Sequence, residues 1–100
     1  MDGWLRNGGR PGALVCMNDR VAMGACQALA HHGLDVPGDV AVVSFDASDL
    51  ALWLRPTLTS VAIPYVEIGV RAVERLLAGV GSGGPVEELP MGVLHGGSVE

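Results

Sequence analysis

The sequence predicts an α/β fold with a mostly parallel sheet and flanking helices. Three observations carry this. Apolar runs of strand length, at residues 13–17, 40–45 and 58–63, alternate with stretches of helical period. The middle run, Val40-Ala41-Val42-Val43-Ser44-Phe45, is β-branched and apolar on both faces up to Ser44, as in a parallel strand covered by helices. The first two runs stop at polar side chains, Asn18-Asp19 and Asp46, where strands hand over to loops.

Residues 1–12 hold four glycines and one proline, too broken for more than a turn around Trp4 and Leu5. The ordered core is expected to start at Ala13. After the first strand, Asp19 is placed to cap a helix from Arg20 to about His32, because its carboxylate can accept the free amides of the first turn. That helix is apolar around most of its circumference and wants partners on more than one side. Gly33 suits its C-terminal left-handed position. Val36-Pro37-Gly38-Asp39 is a turn before the second strand. Ser48 or Asp49 can open a short helix through Trp53 and Leu54, ended by Pro56. The third strand closes at Pro64. A helix over Tyr65–Ala78 carries an apolar stripe of Val66, Gly69, Val70, Val73, Leu76, Leu77 and Val80. Glu67 and Arg71 are expected to pair on its solvent side. Gly79 to Pro85 is a flexible link, residues 91–94 are a short last strand, and the end of the chain is weakly specified. The chain divides into an irregular segment (1–12), a sheet-and-helix unit (13–63), a helix (64–80), and a linker with the final strand (81–100).

One hundred residues make one domain. With 49% hydrophobic and 17% charged residues, intrinsic disorder is excluded. No 18-residue apolar run exists, so no membrane span is expected. The net charge is −5 and all six basic residues are Arg. An acidic chain without a basic cluster is a poor ligand for phosphate backbones or anionic membranes. The start of the chain has no signal-peptide pattern. Cys16 and Cys26 match no metal or redox spacing and read as buried, reduced thiols. The reading is a cytoplasmic chain.

Chemistry in a parallel sheet collects beyond the carboxyl ends of its strands. Asn18 offers a donor and an acceptor, and Asp46 two acceptor oxygens, for hydroxyls or ring N–H groups. Either could instead brace its loop. Trp53, beside Leu50 and Leu54, is either a contact surface or core. His31 and His32 sit at a helix end and His95 is isolated, so no metal site is expected. The glycines at 8–12 lack the Lys-Ser or Lys-Thr of a phosphate loop. Asp46 with His95 has no nucleophile at useful spacing, so the chain is not read as an enzyme and needs no cofactor.

Four segments resemble one family. Gly12-Ala13-Leu14-Val15-Cys16-Met17-Asn18-Asp19-Arg20-Val21-Ala22-Met23-Gly24-Ala25 is similar to its "aifaaNDlmAlGal", and Gly33 through Asp46 to its "GlrvPeDvaVvGfDd". Arg55-Pro56-Thr57-Leu58-Thr59-Ser60-Val61 resembles "PpLTTV", and Glu67-Ile68-Gly69 falls in "eMGrrAvelLl". This is the C-terminal part of the effector domain of LacI/GalR-type bacterial transcriptional regulators, matched over residues 12–80 with a fainter tail. The resemblance implies a partial periplasmic-binding-protein-like (type I) fold. It implies two lobes in the whole protein, with a small-molecule effector, often a sugar or related metabolite, held between them. It also implies homodimers, and operator DNA bound only through a helix-turn-helix domain outside this chain.

Carried over residue by residue, Asn18 and Asp46 are the effector-facing members. Arg20, Val21, Met23, Gly24, Gln27, Leu50, Trp53 and Leu54 lie near the family's dimer interface. The helix 64–80 packs on an N-terminal lobe that this chain lacks. It is therefore expected to fold back on its own sheet or to pack against a second chain. Three positions depart from the pattern: Ser44 stands for the usual Gly, Ala47 for a common second Asp, and Gly96 for the Arg before Gly97-Ser98. A sugar-binding transport protein of the same fold is the alternative source. The Asn18-Asp19 and Leu58-Thr59-Ser60 segments favour the regulator.

Overall fold

The computed structural model describes residues 2–8, 12–79 and 86–99. Val80 of the helical stripe and most of the Gly79–Pro85 link lie outside the described residues. The elements run α1 (Asp2–Arg6), β1 (Ala13–Val15), α2 (Asp19–His31), β2 (Ala41–Phe45), α3 (Asp49–Trp53), β3 (Thr59–Val61), α4 (Tyr65–Leu77) and β4 (Val93–Leu94). The sheet order is β1-β2-β3-β4, parallel through the first three strands and antiparallel at the last. Parallel neighbours need a crossover, and α2 and α3 supply the two that this order requires.

The core lies between the sheet and α2 with α3. Ala22 and Leu29 of α2, Val42 of β2, Ala51 of α3 and Leu58 are all at most 1% exposed. Leu5 joins this cluster at 2% exposure. The core therefore does not begin at Ala13: residues 2–6 form a turn and a half of helix that brings one leucine down onto the sheet unit. A single well-placed apolar residue offsets the poor helix propensity of its neighbours.

The tail is also better fixed than its sequence suggests. Ser98 is fully buried, and its Oγ accepts from the Thr59 amide (2.8 Å) and donates to the Val42 carbonyl (2.6 Å). The Ser98 backbone closes two more bonds, accepting from Val42 and donating to Thr57. Gly96 makes this possible. A Cβ there would stand 2.5 Å from the carbonyl oxygens of both Thr57 and Leu58. The position that the resemblance fills with Arg is thus, in this chain, one where a backbone must pass close to another.

Of the two homes expected for the stripe of α4, its own sheet and a second chain, the first fails, and so does the expected ion pair of Glu67 with Arg71. Among the described residues α4 does not fold back on the sheet: it has no buried residue and makes no extended contact with any helix or strand. Val66, Leu76 and Leu77 are 75–83% exposed. Nor does Arg71 pair with Glu67. It reaches Glu87 at 2.7 Å and Glu74 at 3.8 Å, and Arg75 adds a 3.8 Å contact to Glu87. These ion pairs hold the segment before β4 alongside α4, so helix and strap project together. The radius of gyration is 17.4 Å, against about 13 Å for a compact chain of this length.

Candidate functional site at the carboxyl ends of β1 and β2

The carboxyl ends of β1 and β2 open on a cleft lined by Asn18, Arg20, Asp46, Ser48, Asp49 and Leu50. Beneath it lies a buried carboxylate. Asp19, 1% exposed, accepts from Ser44 Oγ (2.5 Å), Ser60 Oγ (2.8 Å), Ser48 Oγ (2.6 Å) and the Ser48 amide (2.7 Å). Burial pushes its pKa up, but the hydrogen bonds from three serines and one amide outweigh that. They hold the group below the ordinary carboxylate value.

Asp19 is therefore not the helix cap that its position suggests. The cap is Asn18, extended at φ −154° and ψ 177°, whose Oδ1 accepts from the Val21 amide at 2.9 Å. Both residue types cap well, and the sequence alone does not say which one turns outward. Asp19 turns inward because three hydroxyls converge there from β2, β3 and the loop before α3. Asn18, with Oδ1 on the helix, keeps its amide N–H groups for the cleft.

The Asp46-Ala47 turn sits on this hub. Both residues have positive φ, 118° and 50°. Such conformations cost non-glycine residues of order 1–3 kcal/mol each and persist only when their surroundings hold them. The Ala47 amide donates to Ser60 Oγ (2.8 Å), the Ser48 amide to Asp19, and the Asp46 amide to the Val61 carbonyl (2.8 Å). The turn thus presents the half-buried Asp46 carboxylate at the mouth of the cleft. There Tyr65, the first residue of α4, donates its hydroxyl to Asp46 Oδ1 at 2.5 Å. That bond to a carboxylate, with some burial and the charges of Asp46 and Asp19, raises the pKa of Tyr65.

The structure thus brings Asn18 and Asp46 together at one cleft. Ser44, Ser48, Ser60 and Tyr65 belong to the same site and carry no sequence motif of their own. The one signal was Ser44 in place of a glycine. Of the residues expected at a dimer interface, Arg20, Val21, Gly24, Gln27 and Trp53 are exposed, Trp53 at 74%. Met23 and Leu50 are half-buried, and Leu54 packs against the core. Val21 and Gly24 turn toward β1 and line a groove with Leu14, Val15 and Met17. The thiols are buried (Cys16) and half-buried (Cys26), and burial raises both pKa values. Among the described residues no acidic, His and Cys side chains cluster as a metal site, and no helix is long and apolar enough to cross a membrane.

A periplasmic binding protein-like domain model matches residues 1–99. The chain belongs to that family. Its relatives within the family are LacI/GalR-type transcriptional regulators. The ribose operon repressor of Haemophilus influenzae is 40% identical over 73 residues, 73% of this chain and 22% of the repressor. The transcriptional regulator MalR of Streptomyces coelicolor is 46% identical over 69 residues, 69% of this chain and 20% of MalR. Among solved structures, the lac repressor dimer bound to operator and the anti-inducer ONPF superposes with a TM-score of 0.84 at 29% identity. That match covers 98% of this chain and 35% of the repressor chain. The family assignment bears out the expected fold, including its mostly parallel sheet. The chain spans about a fifth of the length of these two curated relatives.

Proposed function

We propose that this chain is the effector-sensing and dimerisation portion of a cytoplasmic, ligand-responsive transcriptional regulator. The observation that carries the reading is the presentation of Asn18 and Asp46 side by side in one cleft, on a turn whose strain is held by a buried hydrogen-bond hub. A strained turn fixed this firmly suits a carboxylate that must be preorganised for a ligand. The chemistry on offer is one carboxylate, one side-chain amide and a hydroxyl in an open polar cleft. It fits a polyol or sugar, whose hydroxyls pair with carboxylate and amide groups. The name of one relative, a ribose operon repressor, agrees with that class.

In the whole protein the second lobe closes over this cleft, α4 packs on that lobe, and two-fold pairing uses the ridge of Arg20, Met23 and Gln27 with Trp53. The chain alone supplies half a cleft, so it binds sugar weakly, and it binds no operator because its charge is −5 with no basic patch. Titration of the ¹⁵N-labelled chain with D-ribose and with maltose tests this. Amide shifts confined to Asn18, Asp46, Ala47 and Ser48, absent in Asp46→Ala, are the expected result. Shifts spread evenly over the chain, or unchanged in Asp46→Ala, refute the assignment of the cleft.

A further inference from the structure

The carboxylate that the cleft presents is already occupied from within the chain. Tyr65, 19 residues beyond Asp46, donates its hydroxyl to Asp46 Oδ1 at 2.5 Å. Among the described residues no other side chain bonds to that carboxylate.

The two partners are held differently. Asp46 is fixed through its backbone. Its amide donates to the Val61 carbonyl (2.8 Å), and the Ala47 amide donates to Ser60 Oγ (2.8 Å). These bonds brace the left-handed turn on which the carboxylate sits. Tyr65 has no such frame. Its ring is 60% exposed, and Pro64 before it gives α4 no side-chain cap. Exposed side chains change rotamer readily. The phenol can therefore leave by turning about its own side-chain torsions, with the backbone of α4 in place. When the bond breaks, the phenol moves and the carboxylate stays.

The bond is also of a kind that a ligand can replace. A hydroxyl donating to an ionised acceptor makes a charge-assisted hydrogen bond, and here it keeps the proton on Tyr65, whose pKa is raised. The phenol fills the place at Oδ1 that a ligand hydroxyl would take. A ligand with two hydroxyls can give one to Asp46 and set the other against the Asn18 amide, which lines the same cleft. It replaces one bond by two. A ligand with a single hydroxyl gains nothing over the phenol.

We infer that Tyr65 is an internal competitor for the cleft: its hydroxyl occupies Asp46 in the empty site, and a polyol binds by displacing it. Binding is then weakened in proportion to the fraction of molecules in which Asp46 is free, as for any site whose competent state is only partly populated. Tyr65 thereby sets selectivity as well as affinity, holding off ligands that bring one hydroxyl. The inference rests on the effector reading of the cleft.

The test uses the chain labelled with ¹³C at the tyrosine ζ carbon, whose resonance reports the hydrogen bond of the one phenol in the sequence. In the ligand-free chain this resonance should differ from that in Asp46→Asn. D-ribose should move it toward the Asp46→Asn position, in step with the amides of Asn18 and Asp46. Tyr65→Phe keeps the ring and loses the hydroxyl. It should bind D-ribose about threefold or more tightly than the parent chain, with an unchanged circular dichroism spectrum. Cleft amides that shift while the ζ resonance stays in place overturn the inference and leave the effector reading intact. The same holds if Tyr65→Phe binds no more tightly than the parent, which would make the phenol a bystander or a ligand contact. If neither D-ribose nor maltose moves an amide in either chain, the effector reading is refuted and this inference falls with it.

Discussion

At the scale of single residues, Asp19 decides the most. Its carboxylate holds four hydrogen bonds from three elements, and its pKa is lowered in the folded state. The sign follows from linkage. A carboxyl whose folded pKa lies below its unfolded value of about 3.9 contributes its full stability above that value. The contribution is lost as pH falls through the folded value. Chemical denaturation at a series of pH values should therefore show a steep loss of stability below about pH 4. Asp19→Asn should flatten that slope and cost about 2–3 kcal/mol at pH 7, since its amide nitrogen would face donors. A slope unchanged in Asp19→Asn would move the acid sensitivity to other carboxyls. Tyr65 permits a second check, because it is the only tyrosine in the chain. Its hydrogen bond to Asp46 favours the protonated phenol, so tyrosinate absorbance should develop above the usual value near 10. In Asp46→Asn it should develop at lower pH than in the parent chain. Equal curves would mean that the 2.5 Å bond is not kept in solution.

At the scale of elements, legibility followed burial pattern. The strands and long helices were readable because Val40–Phe45 and the α2 and α4 periodicities are local signals, correct to within one to three residues at their ends. The site was half readable. Asn18 and Asp46 were marked by their places at strand ends and by family resemblance. The serine hub was not, because Ser44, Ser48 and Ser60 converge on Asp19 only after β2 and β3 pair. The inversion of Asn18 and Asp19 has the same origin: local capping preference cannot see the hydroxyls that draw Asp19 inward. The α1 and tail segments were underread for a related reason, since Leu5 and Ser98 are fixed by distant partners and not by their neighbours. Gly96 offers a direct test of the tail. A Cβ 2.5 Å from two backbone carbonyls cannot be absorbed by a side-chain shift. Gly96→Ala should therefore lower stability by about 1–3 kcal/mol, with the amides of Thr59 and Val42 losing exchange protection. Gly92→Ala, where the space is open, should change stability by no more than about 0.5 kcal/mol. Equal effects from the two substitutions would show that the tail is not seated between β2 and β3.

At the scale of the whole molecule, the chain is a packed sheet unit with a projecting helix, and the two parts are held by different physics. β2 is central, with Val42 and Ser44 fully buried, so its amides open only when the unit unfolds. In a single chain nothing comparable protects α4. It has no buried residue, and isolated helices of about 12–15 residues are marginal in water. Its amides in a lone protomer should then exchange orders of magnitude faster than those of β2. If a second copy covers the stripe, that gap becomes a function of concentration. Hydrogen exchange at micromolar and at near-millimolar protein should then leave β2 rates unchanged and slow α4 rates progressively. Concentration-dependent protection of α4 would mean that its stripe meets a second copy. Protection independent of concentration would mean that α4 is held within its own chain, in a conformation other than the projecting one. The same measurement thus reads whether the stripe of α4 meets a second copy.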